Sequence, residues 1–200
     1  MTQPPGRALT VNDLPLAELY AARLDGQVFQ VADSWCVVDE IDGCSNRAIA
    51  ASRLVPPRAI AEQFTAAWIY GVGPEPSRHQ FCVLIGARTT AVRSPRVQVR
   101  EIVRSPDDVR TISGVRVTTP VRTAVDLARY APASTPDLTP LLAGLLHYGG
   151  YTDVAAAVRL CRRGSPAHST LAVTRFATVN GALSALRQQT EPGSTDNAAG

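Results

Sequence analysis

The sequence predicts an α+β fold made of three parts: a truncated winged-helix-like element near the N-terminus, a central mixed α/β domain and a C-terminal helical subdomain. Apolar residues repeat at helical spacing before residue 25 and again after residue 118. Between these stretches, chiefly from residue 79 onward, they alternate with polar residues or form short apolar runs, as strands do. Beyond residue 132 the chain is rich in Ala and Leu and is divided by glycines, which is typical of short packed helices.

Composition and local character set the expected domain boundaries. The 200 residues are 45% hydrophobic and 18% charged, which is enough to bury one large or two small cores. The first residues carry prolines without an apolar period, and the last ones have lost their apolar content, so both ends are expected to lack fixed structure. We expect a flexible arm over 1–8, the winged-helix-like element over 9–45, the α/β domain over 46–131, the helical subdomain over 132–188 and a disordered tail over 189–200.

The N-terminal element is predicted to be one helix followed by a hairpin. Asn12 or Asp13 can cap the helix, and Gly26 follows it where a C-terminal cap belongs. Residues 28–31 and 35–38 flank a turn and are expected to pair as strands. This is the second half of a winged helix, and only about a dozen residues precede it, too few for the earlier helices of a complete module.

The central domain is expected to begin with two helices and then to switch to strands. A short helix is predicted over 46–54, and a core helix from about Ile60 to Tyr70, closed by Gly71. Residues 81–85 form a continuous apolar run, which favours a buried strand over 80–85.

A hairpin and an amphipathic helix are expected to complete this domain. Ser113–Gly114 is predicted to turn between strands 109–112 and 115–117. Thr119 can cap the next helix, and Pro120 suits its first position. The apolar helix face, predicted to lie on the sheet, consists of Val121, Ala124, Val125 and Ala128. The opposite face, predicted to be solvated and joined by ion pairs, consists of Arg122, Asp126 and Arg129.

Three helices are expected in the C-terminal subdomain. They are predicted over 138–148, over 152–163 and from near Thr170 to Arg187. Asp137 and Thr152 stand where helix caps belong. The last turn of the second helix carries three cations, which interact favourably with the helix dipole; they are Arg159, Arg162 and Arg163. The alternative is that they form a second basic cluster.

Charge is concentrated in the middle of the chain. All 20 basic residues are arginines, and no lysine occurs. The net charge is −4 over residues 1–77, +6 over 78–129 and +1 over 130–200. Because clustered cations drive phosphate binding, a nucleic-acid contact is expected in the middle of the chain.

The strand predicted over 97–103 carries the clearest candidate site. Val97, Val99 and Val103 point one way, whereas three arginines share the other face. With two more arginines on the preceding turn, this patch could track phosphates, carry RNA or meet an acidic protein. The alternative is a solvated strand face whose charges protect a sheet edge. The candidate residues are Arg88, Arg93, Arg96, Arg100 and Arg104.

No catalytic, metal or cofactor site is predicted. The best metal-ligand spacing is His79-x-x-Cys82, which lies inside an apolar strand. Without lysine the chain cannot form a G-x-x-x-x-G-K-S/T phosphate loop. A metal-dependent nuclease would need an acidic cluster on adjacent strands, but the C-terminal acidic residues are scattered.

Location is predicted from cysteine use and hydropathy. The four cysteines are too far apart for a C-x-x-C pair, and no secretory segment precedes them, so we expect reduced thiols. The longest apolar candidate, 141–146, is far shorter than a membrane span. These features favour a soluble cytoplasmic protein.

The order of basic strands followed by T-P-V-R-T-A-V-D-L-A-R, residues 119–129, resembles the C-terminal domain of AbiEi-type antitoxins of bacterial type IV toxin–antitoxin systems. Residues 53–61 and the Ala-rich segment 65–71 resemble the upstream part of that family. The likeness covers roughly residues 13 to 130.

This resemblance implies an antitoxin that also binds DNA at its own promoter as an autorepressor. The implied partner is a nucleotidyltransferase-like toxin, which a type IV antitoxin can counter without binding it. In the family the N-terminal region looks like a recognition helix and wing, which makes Arg23 a second candidate DNA contact. Here that helix brings Glu18 and Asp25 with a single arginine. The alternative is therefore a non-enzymatic protein-interaction module without DNA binding, and the oligomeric state stays open.

Overall fold

The fold is mixed α+β, as the sequence predicts. A computed structural model describes residues 9–31, 34–37, 43–86, 94–135, 137–163 and 166–190. The chain divides into two compact units, Met1–Thr123 and Ala124–Gly200. The arm predicted over 1–8 and most of the tail predicted over 189–200 lie outside the described residues, and the predicted domain boundaries stay predictions.

The predicted helix and hairpin of the N-terminal element are confirmed. Helix α1 spans Leu16–Leu24, and strands β1 (Val28–Val31) and β2 (Ser34–Val37) pair antiparallel. Their small core consists of Leu19, Val28 and Trp35.

Helix α1 begins later than Asn12 or Asp13 would place it. The carboxylate of Asp13 accepts hydrogen bonds from the backbone N–H and hydroxyl of Thr10, at 2.9 and 2.7 Å. It therefore closes the preceding turn, and Pro15 is the residue before the helix. At the other end Gly26 has φ +69°, and Gln27 N–H donates to Ala22 O at 2.8 Å, a Schellman cap as predicted.

A mixed five-stranded sheet forms the centre of the first unit. Its strand order is β5-β4-β3-β7-β6, with β3–β4 and β6–β7 antiparallel and β3–β7 and β4–β5 parallel. The β6–β7 hairpin turns at Ser113–Gly114 as predicted. The strands are β3 (Ile60–Ala61), β4 (His79–Leu84), β5 (Val97–Ile102), β6 (Val109–Ile112) and β7 (Val115–Thr118).

The core helix predicted from about Ile60 is shorter than expected. Ile60 and Ala61 form the central strand β3, and helix α3 spans Gln63–Ile69. The reason is local, since Glu62 is extended and Gln63 has φ +50°, so the chain turns sharply between strand and helix. Helix α2 spans Cys44–Ser52, close to the prediction.

Helix α4 spans Pro120–Tyr130 and begins where predicted, but its polar face is not solvated. Asp126 is fully buried and Arg129 is 6% exposed. A guanidinium N–H group of Arg129 donates to the carbonyls of Leu160 and Cys161 at 3.4 and 2.5 Å. Arg129, which was expected on the solvated face, thus contacts the last turn of the helix Ala155–Arg162, where a cation is favourable.

The helical subdomain has one helix more than predicted. In the described residues it contains α5 (Thr139–Tyr148), α6 (Ala155–Arg162), α7 (Pro166–Ala177) and α8 (Val179–Thr190). The predicted third helix breaks at Thr178, whose hydroxyl donates back to Arg175 O at 3.1 Å. Helix α5 packs against α8, and α6 packs against α7.

The predicted caps of this subdomain are partly right. Asp137 accepts a hydrogen bond from Thr139 N–H at 2.9 Å, and its bonds with Thr139 lower the pKa of its carboxyl group. Ahead of α6 the capping carboxylate is Asp153, bonded to Ala155 N–H at 2.7 Å, rather than Thr152. Across the residues that the structure describes, no helix is long and apolar enough to cross a membrane.

Candidate nucleic-acid and partner-binding surfaces

The arginines predicted to share one strand face have different surroundings. Arg100 lies in β5, whereas Arg96 precedes the strand and Arg104 follows it. Arg96 is exposed, Arg100 is half-buried and Arg104 is buried. Arg88 and Arg93 lie outside the described residues. A common exposed face of three arginines is therefore not observed.

Glu62 binds two of these arginines at once. Arg100 donates from Nε to Oε1 at 2.5 Å and from Nη2 to Oε2 at 2.9 Å. Arg104 donates from Nη2 to Oε2 at 2.9 Å. The Glu62 side chain is 1% exposed, so this carboxylate is a buried partner for both guanidinium groups.

The sheet fixes Glu62 in this position. Its backbone N–H donates to Gln80 O at 3.1 Å, which continues the antiparallel pairing of β3 with β4. The Gln80 side chain accepts from Phe64 N–H at 3.0 Å, and Gln80 N–H donates to the Thr65 hydroxyl at 2.7 Å. These bonds tie the start of α3 to β4 and hold the Glu62 carboxylate towards β5.

The buried carboxylate changes what Arg100 and Arg104 can do. A buried ion pair persists only when its charges have close, well-oriented partners, because desolvation of each ion costs several kcal/mol. The bidentate Arg100 contact and the shared oxygen of Glu62 meet that requirement. These two arginines thus stabilise the joint between sheet and helix, and any phosphate would compete with Glu62.

Arg96 belongs to a second carboxylate cluster. Its Nη2 lies 3.6 Å from Oε1 of Glu75, and the same oxygen lies 3.3 Å from Nε2 of His79. The His79 ring is buried, and its Nδ1 is 3.5 Å from the Thr65 hydroxyl. The Arg96 side chain is 45% exposed, which leaves it accessible to a ligand at the surface.

His79 and Cys82 do not converge into a metal site. Their spacing on β4 places them on opposite faces of the strand. Burial raises the pKa of the Cys82 thiol to about 12, and Sγ lies 3.9 Å from Nη2 of Arg104. Among the described residues no group of three His, Cys, Asp or Glu side chains could hold a metal ion.

Arg23 lies on α1, which also carries Glu18 and is followed by Asp25. It is exposed, and it is the arginine that α1 contributes. Three large apolar side chains of the same helix are also solvent-accessible, with Leu16 50%, Tyr20 47% and Leu24 88% exposed. Helix α1 and its C-cap therefore offer one cation, two carboxylates and exposed apolar side chains, whereas a DNA-reading helix usually offers several cations and amides.

A further pair of arginines was not singled out from the sequence. Arg58, in the loop before β3, and Arg116, on β7, line a cleft of about 260 Å³. Arg116 donates from Nη1 to the carbonyl of Arg58 at 3.3 Å. The two residues are far apart in sequence and converge only because β3 and β7 are parallel neighbours. The one local signal was the Pro56–Pro57 pair, which predicts a turn at Arg58.

Comparison with protein families identifies the α/β part of the chain. Residues 59–166 match the family described as AbiEi antitoxin C-terminal domain, which is more than half of the sequence. The chain belongs to this family. The match begins one residue before β3 and runs through the sheet to the first residue of α7. Membership supports an antitoxin role, and the AbiEi antitoxin family is not known to be enzymatic.

The AbiEi resemblance deduced from the sequence is thus confirmed, while residues before 59 lie outside the match. A crystal structure of the RV2827C protein from Mycobacterium tuberculosis is also similar. It shares 17% sequence identity, covers 93% of this chain and 77% of that chain, and superposes with a TM-score of 0.48. No curated protein matches the chain.

Proposed function

We propose that this chain is the antitoxin of a type IV toxin–antitoxin system and that its activity resides in the AbiEi-type α/β domain. The observation that carries the proposal is the family match over 59–166, which includes every strand of the five-stranded sheet. The sheet is joined to α3 by the buried Glu62 cluster. The domain therefore presents a fixed surface, which could contact either a protein partner or the substrate on which the toxin acts.

The partner is proposed to be a nucleotidyltransferase-like toxin. The AbiEi family implies a toxin in general, and the toxin class follows from the type IV resemblance. An antitoxin of this type can act without a stable complex, so the partnership is functional and need not be physical.

Growth rescue tests this antitoxin proposal. The gene next to this one is expressed from an inducible promoter, and the full-length chain is expressed from a second promoter. We expect the neighbouring gene to reduce colony counts and the chain to restore them, whereas a frameshifted copy does not. Co-purification of the two proteins is measured separately. Absence of rescue despite soluble expression of the chain would refute the proposal.

A second candidate function is DNA-binding autorepression. The observation that favours it is the order α1, β1, β2 around one small core, which is also the order of the recognition helix and wing in a winged helix. Arg23 is exposed on that helix, and Arg96 is exposed beside the sheet. We propose these two residues as the phosphate contacts, together with Arg88 and Arg93.

Fluorescence anisotropy tests the DNA proposal. Binding of the chain to its own upstream duplex is compared with binding to a scrambled duplex over a series of salt concentrations. Preference for the upstream duplex at physiological salt, with a salt slope reduced by about one in Arg23→Ala or Arg96→Ala, supports autorepression. The triple change Arg96→Ala, Arg100→Ala and Arg104→Ala tests the wider patch, with folding of the variant checked first, because Glu62 holds two of these residues.

The opposite result supports a protein-interaction module. The exposed apolar residues of α1 favour this alternative, and so does Glu62, the carboxylate that Arg100 and Arg104 share. The protein-interaction alternative predicts that the chain binds neither duplex, or binds both weakly and loses both to the same extent as the salt concentration rises.

A further inference from the structure

We propose that the cleft between the Pro56–Ala59 turn and the β6–β7 hairpin is a phosphate-binding site. Two arginines line it, Arg58 from the turn and Arg116 from β7. None of its lining residues is acidic; the others are Ser52, Val55, Pro56, Pro57, Ala59, Gly114 and Val115. This contrasts with Arg96, Arg100 and Arg104, each of which lies against a carboxylate.

Arg58 occupies a backbone position that favours glycine. Ala59 N–H donates to Pro56 O at 3.0 Å, which closes a four-residue turn, and Arg58 is its third residue with φ +62°. Pro57 at the second position fixes φ near −65°, so the turn is of type II. Type II turns strongly prefer Gly or Asn at this third position, because a Cβ is strained there. A long cationic side chain at such a position indicates a role for the side chain itself.

Arg116 is oriented towards the same turn. Its Nη1 donates to the carbonyl of Arg58 at 3.3 Å, which holds the guanidinium at the wall of the cleft. Arg58 is exposed and Arg116 is half-buried, so both can reach an anion in the cleft. A guanidinium that uses one N–H on a carbonyl keeps further N–H donors for a second acceptor.

The end of helix α2 opposes anion binding here, but it is the weaker effect. Ser52, the last residue of α2, lines the cleft, and a helix C-terminus carries about half a negative charge. Two guanidinium groups carry two full positive charges. In addition, the N–H groups of Leu54 and Val55 donate to Ala51 O, at 2.9 and 3.1 Å, which satisfies one of the terminal carbonyls. The net potential in the cleft is therefore positive.

Phosphate is the ligand class that fits two arginines lining one small cleft without a carboxylate. Guanidinium groups form paired, charge-assisted hydrogen bonds with phosphate oxygens. The phosphate could belong to a free phosphate ester or to a nucleic-acid backbone, and the test distinguishes these sources. The proposal does not depend on antitoxin activity.

The test compares wild type with Arg58→Gly, Arg116→Gln and the control Arg110→Gln in the full-length chain. Arg110 lies on β6 of the same hairpin, is exposed and does not line the cleft, so its change removes the same charge elsewhere. One arm measures pyrophosphate binding by calorimetry, and the other measures anisotropy of a labelled duplex of unrelated sequence over a salt series. Arg58→Gly relieves the strained turn, so its thermal midpoint should equal or exceed that of wild type.

We expect Arg58→Gly and Arg116→Gln each to weaken binding about tenfold, as loss of one charge-assisted pair does, while Arg110→Gln stays close to wild type. If the two cleft variants weaken the binding of pyrophosphate alone, the ligand is assigned as a free phosphate ester. If they weaken the binding of the duplex, the ligand is assigned as a nucleic-acid backbone. The proposal is overturned if wild type binds neither probe, if the cleft variants bind as wild type does, or if Arg110→Gln weakens binding equally.

Discussion

Arg104 and Glu62 form a buried ion pair between the segment after β5 and the start of α3, with Nη2 and Oε2 2.9 Å apart and both side chains 1% exposed. Arg100 binds the same carboxylate from β5. Arginines that the sequence offers as phosphate contacts therefore connect the edge of the sheet to its covering helix. Their loss would affect folding before it affects binding.

Glu62→Gln is expected to destabilise the protein by about 3 kcal/mol or more. The change leaves two guanidinium groups beside a neutral amide, and removal of one partner of a buried pair costs roughly 3 to 5 kcal/mol. Glu101→Gln, an exposed position on β5, is the matched control and should change stability by less than about 0.5 kcal/mol. Urea unfolding measures both. Equal stability of the two variants would contradict a structural role for Glu62.

Gly71→Ala is expected to cost more than Gly26→Ala. Both glycines end a helix with positive φ, +75° and +69°, where an alanine costs about 1 to 2 kcal/mol. At Gly26 a Cβ would meet nothing within 4 Å, whereas at Gly71 it would overlap the end of the flexible Arg47 side chain, so Arg47 must shift and the additional cost is small. In an Arg47→Ala background the two alanine substitutions should therefore cost the same, which a double-mutant cycle measures. An unchanged difference would show that Arg47 is not responsible.

Arg175→Met is expected to destabilise the helical unit by about 2 kcal/mol. Arg175 donates from Nη1 to the carbonyls of Leu127, Ala128 and Ala131, at 3.3, 3.0 and 3.2 Å, at the end of α4. Hydrogen bonds from a charged donor contribute roughly 1.5 to 3 kcal/mol, and a cation is favourable at a helix C-terminus. Arg187→Met, on the exposed side of α8, is the control. Faster amide exchange at residues 127–131 in the first variant alone is the expected signature.

The Cys82 thiol is expected to make the protein less stable at alkaline pH. Its pKa rises from 9.0 to about 12 on folding, chiefly because of burial. Above pH 9 the unfolded chain releases this proton and the folded chain keeps it, so the stabilisation present below pH 9 is lost as pH rises towards 12. The slope of unfolding free energy against pH should be shallower in Cys82→Ala by up to about 1.4 kcal/mol per pH unit. A wild-type slope in Cys82→Ala would contradict this account.

Local signals in the sequence were enough to locate much of the fold. Gly26 and Gly71 were predicted to end their helices, and both adopt the positive φ of a C-terminal cap. Ser113–Gly114 was predicted as a hairpin turn and joins β6 to β7. Such residues act through their own backbone, so their effect can be read without knowing their neighbours.

Features that depend on distant partners could not be read in this way. A two-residue strand such as Ile60–Ala61 has no period of its own and is defined by its neighbours β4 and β7. Asp126 and Arg129 follow the polar spacing of a solvated helix face, yet they are buried. Glu62 gave no signal at all, because its two arginines lie about 40 residues further along the chain, a separation of 38 and 42 residues.

Colony counts in the growth-rescue experiment, made with a variant of α1, test the central claim most directly. Arg23→Ala combined with Leu24→Asp alters the exposed face of α1 without touching its core residue Leu19. If the AbiEi-type α/β domain carries the antitoxin activity, this variant should restore growth as fully as wild type. Loss of rescue by a variant that remains as stable as wild type would place the activity in the N-terminal element and contradict the account.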